Sequence, residues 1–293
     1  MLIACLLESM LKIKFQQPTD IYQDWQVLDK INAQILFVGN SRTVTHFNSS
    51  AISSASGKSV YCLGTLGYSQ ELILHKLDVY LEKNVAPEIL FLQVGPTFNK
   101  NTQSFYAKTI YRKYLFQDRF GIHSKTIQLD GANYVDRYLP LFRYRGDLHR
   151  FIQDLFCIKP KAQRLGGYNQ PQEDKWNGDN IGTLASDIEF DHDLLDSAIK
   201  IIKQNKKLVN TQVILSIPPF TTNVYAKIDW GNLEQTALQN DFALVDWNKL
   251  GVSCYSSTAF FRDNYHLNSI GVGCLTRDVV EWLESENYSL HKY

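Results

Sequence analysis

Ala33-Gln34-Ile35-Leu36-Phe37-Val38-Gly39-Asn40-Ser41 is the stretch on which the reading of the whole chain turns. A short apolar run rich in β-formers, closed by a glycine, predicts a buried strand. The residues after the glycine then fall on the turn that leaves the sheet, and Ser41 is among them. The same grammar recurs downstream. Residues 59–64 predict a second strand, and 88–95 a third whose continuous apolar character suits a strand covered on both faces. Residues 211–217, ending at Pro218-Pro219, and 242–246 predict two more. Between them, 69–83 carries Leu72, Leu74, Leu77, Val79, Tyr80 and Leu81 behind a capping Ser69, and 193–206 carries Leu194, Leu195, Ala198, Ile201 and Ile202. Both predict helices, as do 231–239 and 268–284. Strands alternating with helices require crossover connections, so the expected fold is α/β, a three-layer α/β/α sandwich around a mostly parallel five-stranded sheet.

Residues 100–190 break this rhythm. They are rich in Tyr, Phe and Arg, as in Tyr138-Leu139-Pro140-Leu141-Phe142-Arg143-Tyr144-Arg145, and hold a glycine-containing loop at Gly166-Gly167-Tyr168. We expect a helical insertion over the open end of the sheet, within one domain spanning 1–293, preceded by an N-terminal helix in 1–30. Met1 to Leu7 is apolar but far shorter than the ~20 residues of a membrane span, and no basic residue precedes it. Two readings stay open there: an amphipathic helix start over Leu2 to Phe15, or the tail of a longer membrane anchor. No span is expected within the chain. The localisation reads as cytoplasmic, with attachment to the cell envelope the alternative.

The 293 residues carry 30 Lys plus Arg against 30 Asp plus Glu, which disfavours a dedicated nucleic-acid binder. A 44% hydrophobic content at zero net charge disfavours disorder. Cys5, Cys62, Cys157, Cys254 and Cys274 are far apart and form no CxxC pair, so they are expected to be scattered buried thiols. His46, His75, His123, His149, His192 and His291 show no metal-ligand spacing, and nothing resembles a phosphate or dinucleotide loop. Neither metal nor cofactor is expected.

In an open parallel sheet the ligand site lies beyond the carboxyl ends of the strands. The polar residues gathered there are Asn40-Ser41-Arg42-Thr43, Thr65 and Gly67, Thr97 and Asn99, and the loop Asp263-Asn264-Tyr265-His266 before the last helix. These can make an acyl-transfer site. A serine hydroxyl is a poor nucleophile until a base takes its proton. Asp263 and His266, three residues apart, let the carboxylate hold Nδ1 and leave Nε2 for Ser41. The Ser41 and Gly67 N–H groups would form an oxyanion hole. Each residue alone has a plainer reading: Ser41 a helix cap, Gly67 a turn glycine, Asp263 a loop carboxylate, His266 a hydrogen-bonded or exposed histidine. Their joint placement at strand ends favours the catalytic one.

On these blocks the chain resembles the SGNH/GDSL hydrolases. The first family block, a strand ending in Gly-Asx-Ser, matches Ile35 to Ser41; the second matches Val60 to Gly67; the Asp-x-x-His block matches Asp263 to His266, with Asn268 and Gly271 opening the last helix. The resemblance implies a flavodoxin-like sheet, a serine esterase or related O-acyltransferase without cofactor, and catalytic Ser41, Asp263 and His266. One block departs: Gly95-Pro96-Thr97 has a threonine where the family's oxyanion asparagine stands, and Asn99 follows two residues later. Family variants lacking that asparagine occur among enzymes and proteins that modify bacterial surface polysaccharides, so the resemblance tilts the expected substrate toward an acylated carbohydrate or small ester. A non-catalytic carbohydrate-binding module is the competing reading. Arg42 is a candidate for a substrate carboxylate or phosphate, and Tyr144, Arg145 and Tyr168 for sugar contacts, although such residues also pack lids and pair with local acids.

Overall fold

A computed structural model describes residues 31–64, 70–95, 166–168, 192–250 and 252–285. The chain divides into two compact units, 1–29 with 103–164 and 30–102 with 165–293. The first lies wholly outside the described residues, and with it the expected N-terminal helix and most of the expected insertion.

Five strands carry the second unit: β1 (Ile35–Gly39), β2 (Val60–Gly64), β3 (Ile89–Gln93), β4 (Gln212–Ile217) and β5 (Ala243–Asp246). All pair in parallel in the order β2-β1-β3-β4-β5. That order reverses direction between β1 and β3, the switch point at which open α/β sheets leave a crevice. The helices are α1 (Ser41–His46), α2 (Ser49–Ser56), α3 (Gln70–Lys83), α4 (His192–Gln204), α5 (Leu233–Gln239) and α6 (Ser269–Glu284), with short helical turns between β4 and α6.

Side chains alternate across a strand, so each strand feeds two cores. Ile35 and Phe37, Val60 and Cys62, and Ile89 and Phe91 share one side, where Trp247, Val272, Leu275, Val279 and Trp282 complete a buried cluster. Phe37 lies between Phe47 at 4.4 Å and Phe91 at 4.5 Å, stacked on both. The alternate set, Leu36, Val38, Leu90, Leu92 and Leu215, is equally buried. Helix α3 packs on β1 and β2, and α4 packs on α3. Both helices bury one stripe, Leu77, Tyr80 and Leu81 on α3 and Leu195, Ala198 and Ile202 on α4. The sheet is thus a parallel α/β core between helices, as the alternation of elements requires.

The cysteines depart from expectation. Cys254 and Cys274 form a disulfide with Cα atoms 6.4 Å apart, and Cys62 is a buried thiol whose Sγ donates to Phe47 O at 3.2 Å. The two partners are 20 residues apart, on a short helical turn and on α6, and only their packing brings them within bridging distance. Cys5 and Cys157 lie outside the described residues.

Candidate active site

The strand β1 ends at Gly39, and α1 starts two residues later. A Cβ on Gly39 would meet Thr43 Oγ1 at 2.2 Å and Gln93 Oε1 at 2.5 Å, so only glycine lets α1 settle this closely on the strand ends. Asn40 caps α1: its Oδ1 accepts from Arg42 N at 3.1 Å. Ser41 is therefore the first helical residue and not the cap, and its hydroxyl is free of that duty.

Beneath this turn lies Gln93, the last residue of β3 and 2% exposed. Its Oε1 accepts from Thr43 Oγ1 at 2.7 Å, Thr43 N at 3.1 Å and Asn40 N at 3.3 Å, while its Nε2 donates to Asn40 Oδ1 at 2.9 Å. A buried polar group is tolerated when its bonds are made. This one fastens the Ser41 turn to the neighbouring strand.

The second half of the site comes from the loop before α6. Ser41 Oγ lies 2.9 Å from His266 Nε2. His266 Nδ1 lies 3.0 Å from both oxygens of Asp263. Asp263 Oδ1 also accepts from the backbone N–H groups of Tyr265 and His266, each at 2.8 Å. Burial raises the Asp263 pKa, but these bonds from the His266 ring and the backbone outweigh it, and the carboxyl ends below its ordinary value. Asp263 is an anion at neutral pH and fixes the imidazole with Nε2 toward the serine. Asn268 locks the loop from behind: its Oδ1 accepts from Ile270 N and Gly271 N, and its Nδ2 donates to Ala259 O at 2.7 Å.

His46, read from the sequence only as a histidine without metal spacing, turns out to border the site. It is fully buried at the end of α1, and its Nε2 accepts from Leu267 N at 3.1 Å. Its ring stands edge-on to His266, 5.9 Å between centroids. Burial first, then the charges of His266, Arg42 and Arg262, push its pKa well below the ordinary value. His46 stays neutral and remains an acceptor. Helix α1 therefore grips the His266 loop at both ends, through Ser41 and through His46. Neither Gln93 nor His46 carries a local sequence signal for these roles, because their partners lie 50 to 53 and 221 positions away.

Arg42, beside the serine, is 4% exposed, and its guanidinium lies over the Phe220 ring at 4.6 Å. Burial lowers its pKa to about 10, opposed by Tyr265 and Asp263. It is still a cation at pH 7. Tyr168 does not join these residues. It packs against the buried cluster beside Cys62, and burial raises its hydroxyl to about 12. Its neighbour Gly166 accepts from Cys62 N at 2.9 Å, which runs this segment along the free edge of β2. Gly67, Thr97, Asn99, Tyr144 and Arg145 lie outside the described residues. Among the described residues no cluster of His, Cys, Asp and Glu could hold a metal ion, and no helix is long and apolar enough to cross a membrane.

Sheet order, Gly39-Asn40-Ser41 turn and Asp263-x-x-His266 loop have the arrangement that the SGNH/GDSL resemblance implies. No family model matches the chain, and no curated protein does. Solved structures similar to it include a presumed platelet activating factor from Streptococcus pneumonia, 14% identical with a TM-score of 0.42, covering 97% of this chain and 99% of that one. A presumed acylhydrolase from Bacteroides fragilis is 12% identical, TM-score 0.40, over 88% of this chain and 89% of that one. A presumed lipolytic protein of the G-D-S-L family from Desulfitobacterium hafniense is 10% identical, TM-score 0.40, over 84% and 97%. These likenesses are distant, and the functional reading rests on the side chains.

Proposed function

We propose that this chain is a serine esterase that removes an acyl group, acetyl in the first instance, from a carbohydrate or small ester. The observation that carries the reading is the line Ser41 Oγ to His266 Nε2, 2.9 Å, continued from His266 Nδ1 to Asp263 at 3.0 Å. In the proposed mechanism Ser41 Oγ attacks the acyl carbon and its proton passes to His266 Nε2. The oxyanion is met by the Ser41 N–H, in a first helical turn whose N–H groups have no intrahelical acceptor, and by the Gly67 N–H. Thr97 or Asn99 would supplement them. The intermediate collapses, His266 returns the proton to the departing alcohol, and the acyl group stays on Ser41. Water, deprotonated by His266, then attacks the acyl carbon, and His266 returns that proton to Ser41 Oγ as the acid leaves. A sugar hydroxyl in place of water would make the same acyl-enzyme an O-acetyltransferase.

Hydrolysis of p-nitrophenyl acetate by purified protein tests the reading. Ser41→Ala and His266→Ala should each lower the rate by about four orders of magnitude, and the double variant should be no worse than either, because nucleophile and base act as a unit. Products from an acetylated glycan, with and without an acceptor sugar, separate hydrolase from transferase. Folded protein inert on every ester would favour the non-catalytic carbohydrate-binding module.

A further inference from the structure

Arg42 is an anomaly of charge accounting. Its guanidinium makes no hydrogen bond and no ion pair among the described residues, and Nε and Nη2 are buried without a partner. Buried arginine is rare unless paired, since moving a cation out of water costs several kcal/mol that only anions or acceptors offset. The Phe220 ring steadies the cation at 4.6 Å but accepts none of its N–H groups in their plane. Phe220 is itself fixed, its N–H donating to Asn248 Oδ1 at 2.8 Å.

The two orphaned nitrogens are not arbitrary. Nε and Nη2 form one edge of the guanidinium, the side-on fork that receives a carboxylate or phosphate through two parallel hydrogen bonds. The edge also lies where a ligand is expected. Arg42 springs from the turn after β1, and its Nη2 comes within 3.6 Å of where a Cβ on Gly95 would stand, two residues past β3. It thus bridges the ends of β1 and β3, the switch point of the sheet. Gly95 has φ +147°, a conformation that favours glycine and keeps the backbone bare beside the guanidinium. A cavity of about 320 Å³ at the ends of β4 and β5 offers a contrast. There Tyr225 donates to Asp246, and Lys249 pairs with Glu234 at 3.3 Å, so those groups already have partners.

We propose that the Nε–Nη2 edge of Arg42 is an anion subsite that takes a carboxylate or phosphate carried by the substrate itself. This rests on the esterase reading and narrows it to esters of acidic molecules, such as an acylated glycan with acid groups. Asp263, which holds His266 beside Ser41, acts by its charge on the Arg42 guanidinium, and the proposal puts the bound anion and the scissile ester on one small substrate.

Two ester pairs and one binding measurement test this. 3-Acetoxybenzoate against its methyl ester places the anion on the alcohol side, and p-nitrophenyl hydrogen glutarate against p-nitrophenyl valerate places it on the acyl side. Wild type should favour the anionic member of one pair by about tenfold or more in kcat/KM, as expected for charge-assisted bonds, and that pair names the side. Arg42→Met should collapse the ratio toward one. Arg42→Lys, a point charge without a fork, should keep only part of it. Inorganic phosphate and 3-hydroxybenzoate should raise the Tm of wild type and not of Arg42→Met, a readout that needs no turnover. An unchanged ratio in Arg42→Met, in protein whose Ser41 still reacts with a fluorophosphonate, would overturn the subsite and leave the esterase intact. Inert Ser41 with anion stabilisation lost in Arg42→Met would overturn the esterase and leave the subsite. No preference in either pair and no stabilisation would make Arg42 a purely structural cation.

Discussion

Two buried polar regions meet at the start of α1, and they are built oppositely. Below Ser41, Gln93 receives three donors and gives one bond to Asn40, so the interior polar atoms there are matched. Beside Ser41, Arg42 is equally buried and leaves a whole donor edge unmatched. A saturated network holds geometry and has nothing left to offer a ligand. An unsaturated one destabilises the fold and gains only when something arrives to fill it. The contrast distinguishes scaffold from site without appeal to any relative.

The sharpest way to break the contrast is at its saturated side. Gln93→Leu strands three donors in the interior, and each unmatched group costs about 1–3 kcal/mol. Chemical denaturation should show a loss of about 3 kcal/mol or more, with esterase activity falling as the Ser41 turn loosens. Next in size is His46→Leu, which strands the Leu267 N–H at about 1–3 kcal/mol. It should lower kcat with little change in KM, because it moves the base and not the substrate. His46→Gln, whose side-chain oxygen can reach the same N–H, should recover part of kcat; equal losses in both variants would remove the positioning role. The smallest effect has the opposite sign. Arg42→Met removes a buried cation that makes no ion pair among the described residues and should raise stability by about 1 kcal/mol. The Arg42 pKa is lower folded than unfolded, so its penalty is complete below about pH 10 and fades as pH rises from there toward the unfolded value. The stability gap between the variant and wild type should therefore be constant at neutral pH and narrow above about pH 10.

Much of this was legible in the sequence because it is local. The strand at Ile35 to Gly39 announces itself by composition, and the helix at Ser269 to Glu284 matches the one expected over 268–284. Asp263 and His266 are three residues apart, and Ser41 sits on the turn the strand pattern isolates, so these three could be named together. Gln93 reads as one polar residue at the end of an apolar strand; its meaning depends on β3 lying beside β1, a consequence of sheet order. His46 reaches the His266 loop only through a backbone N–H 221 positions away. The Cys254–Cys274 bridge likewise depends on two helical segments meeting in space. Arg42 is visible as a basic residue after the serine, but that its Nε and Nη2 meet no acceptor among the described residues is a property of the folded interior alone.

The most direct measurement is mass spectrometry of the folded protein after exposure to a fluorophosphonate. One adduct should form, map to Ser41, disappear in Ser41→Ala and form far more slowly in His266→Ala. Folded wild-type protein that takes up no adduct, or an adduct that persists in Ser41→Ala, would contradict Ser41 as a nucleophile activated by His266.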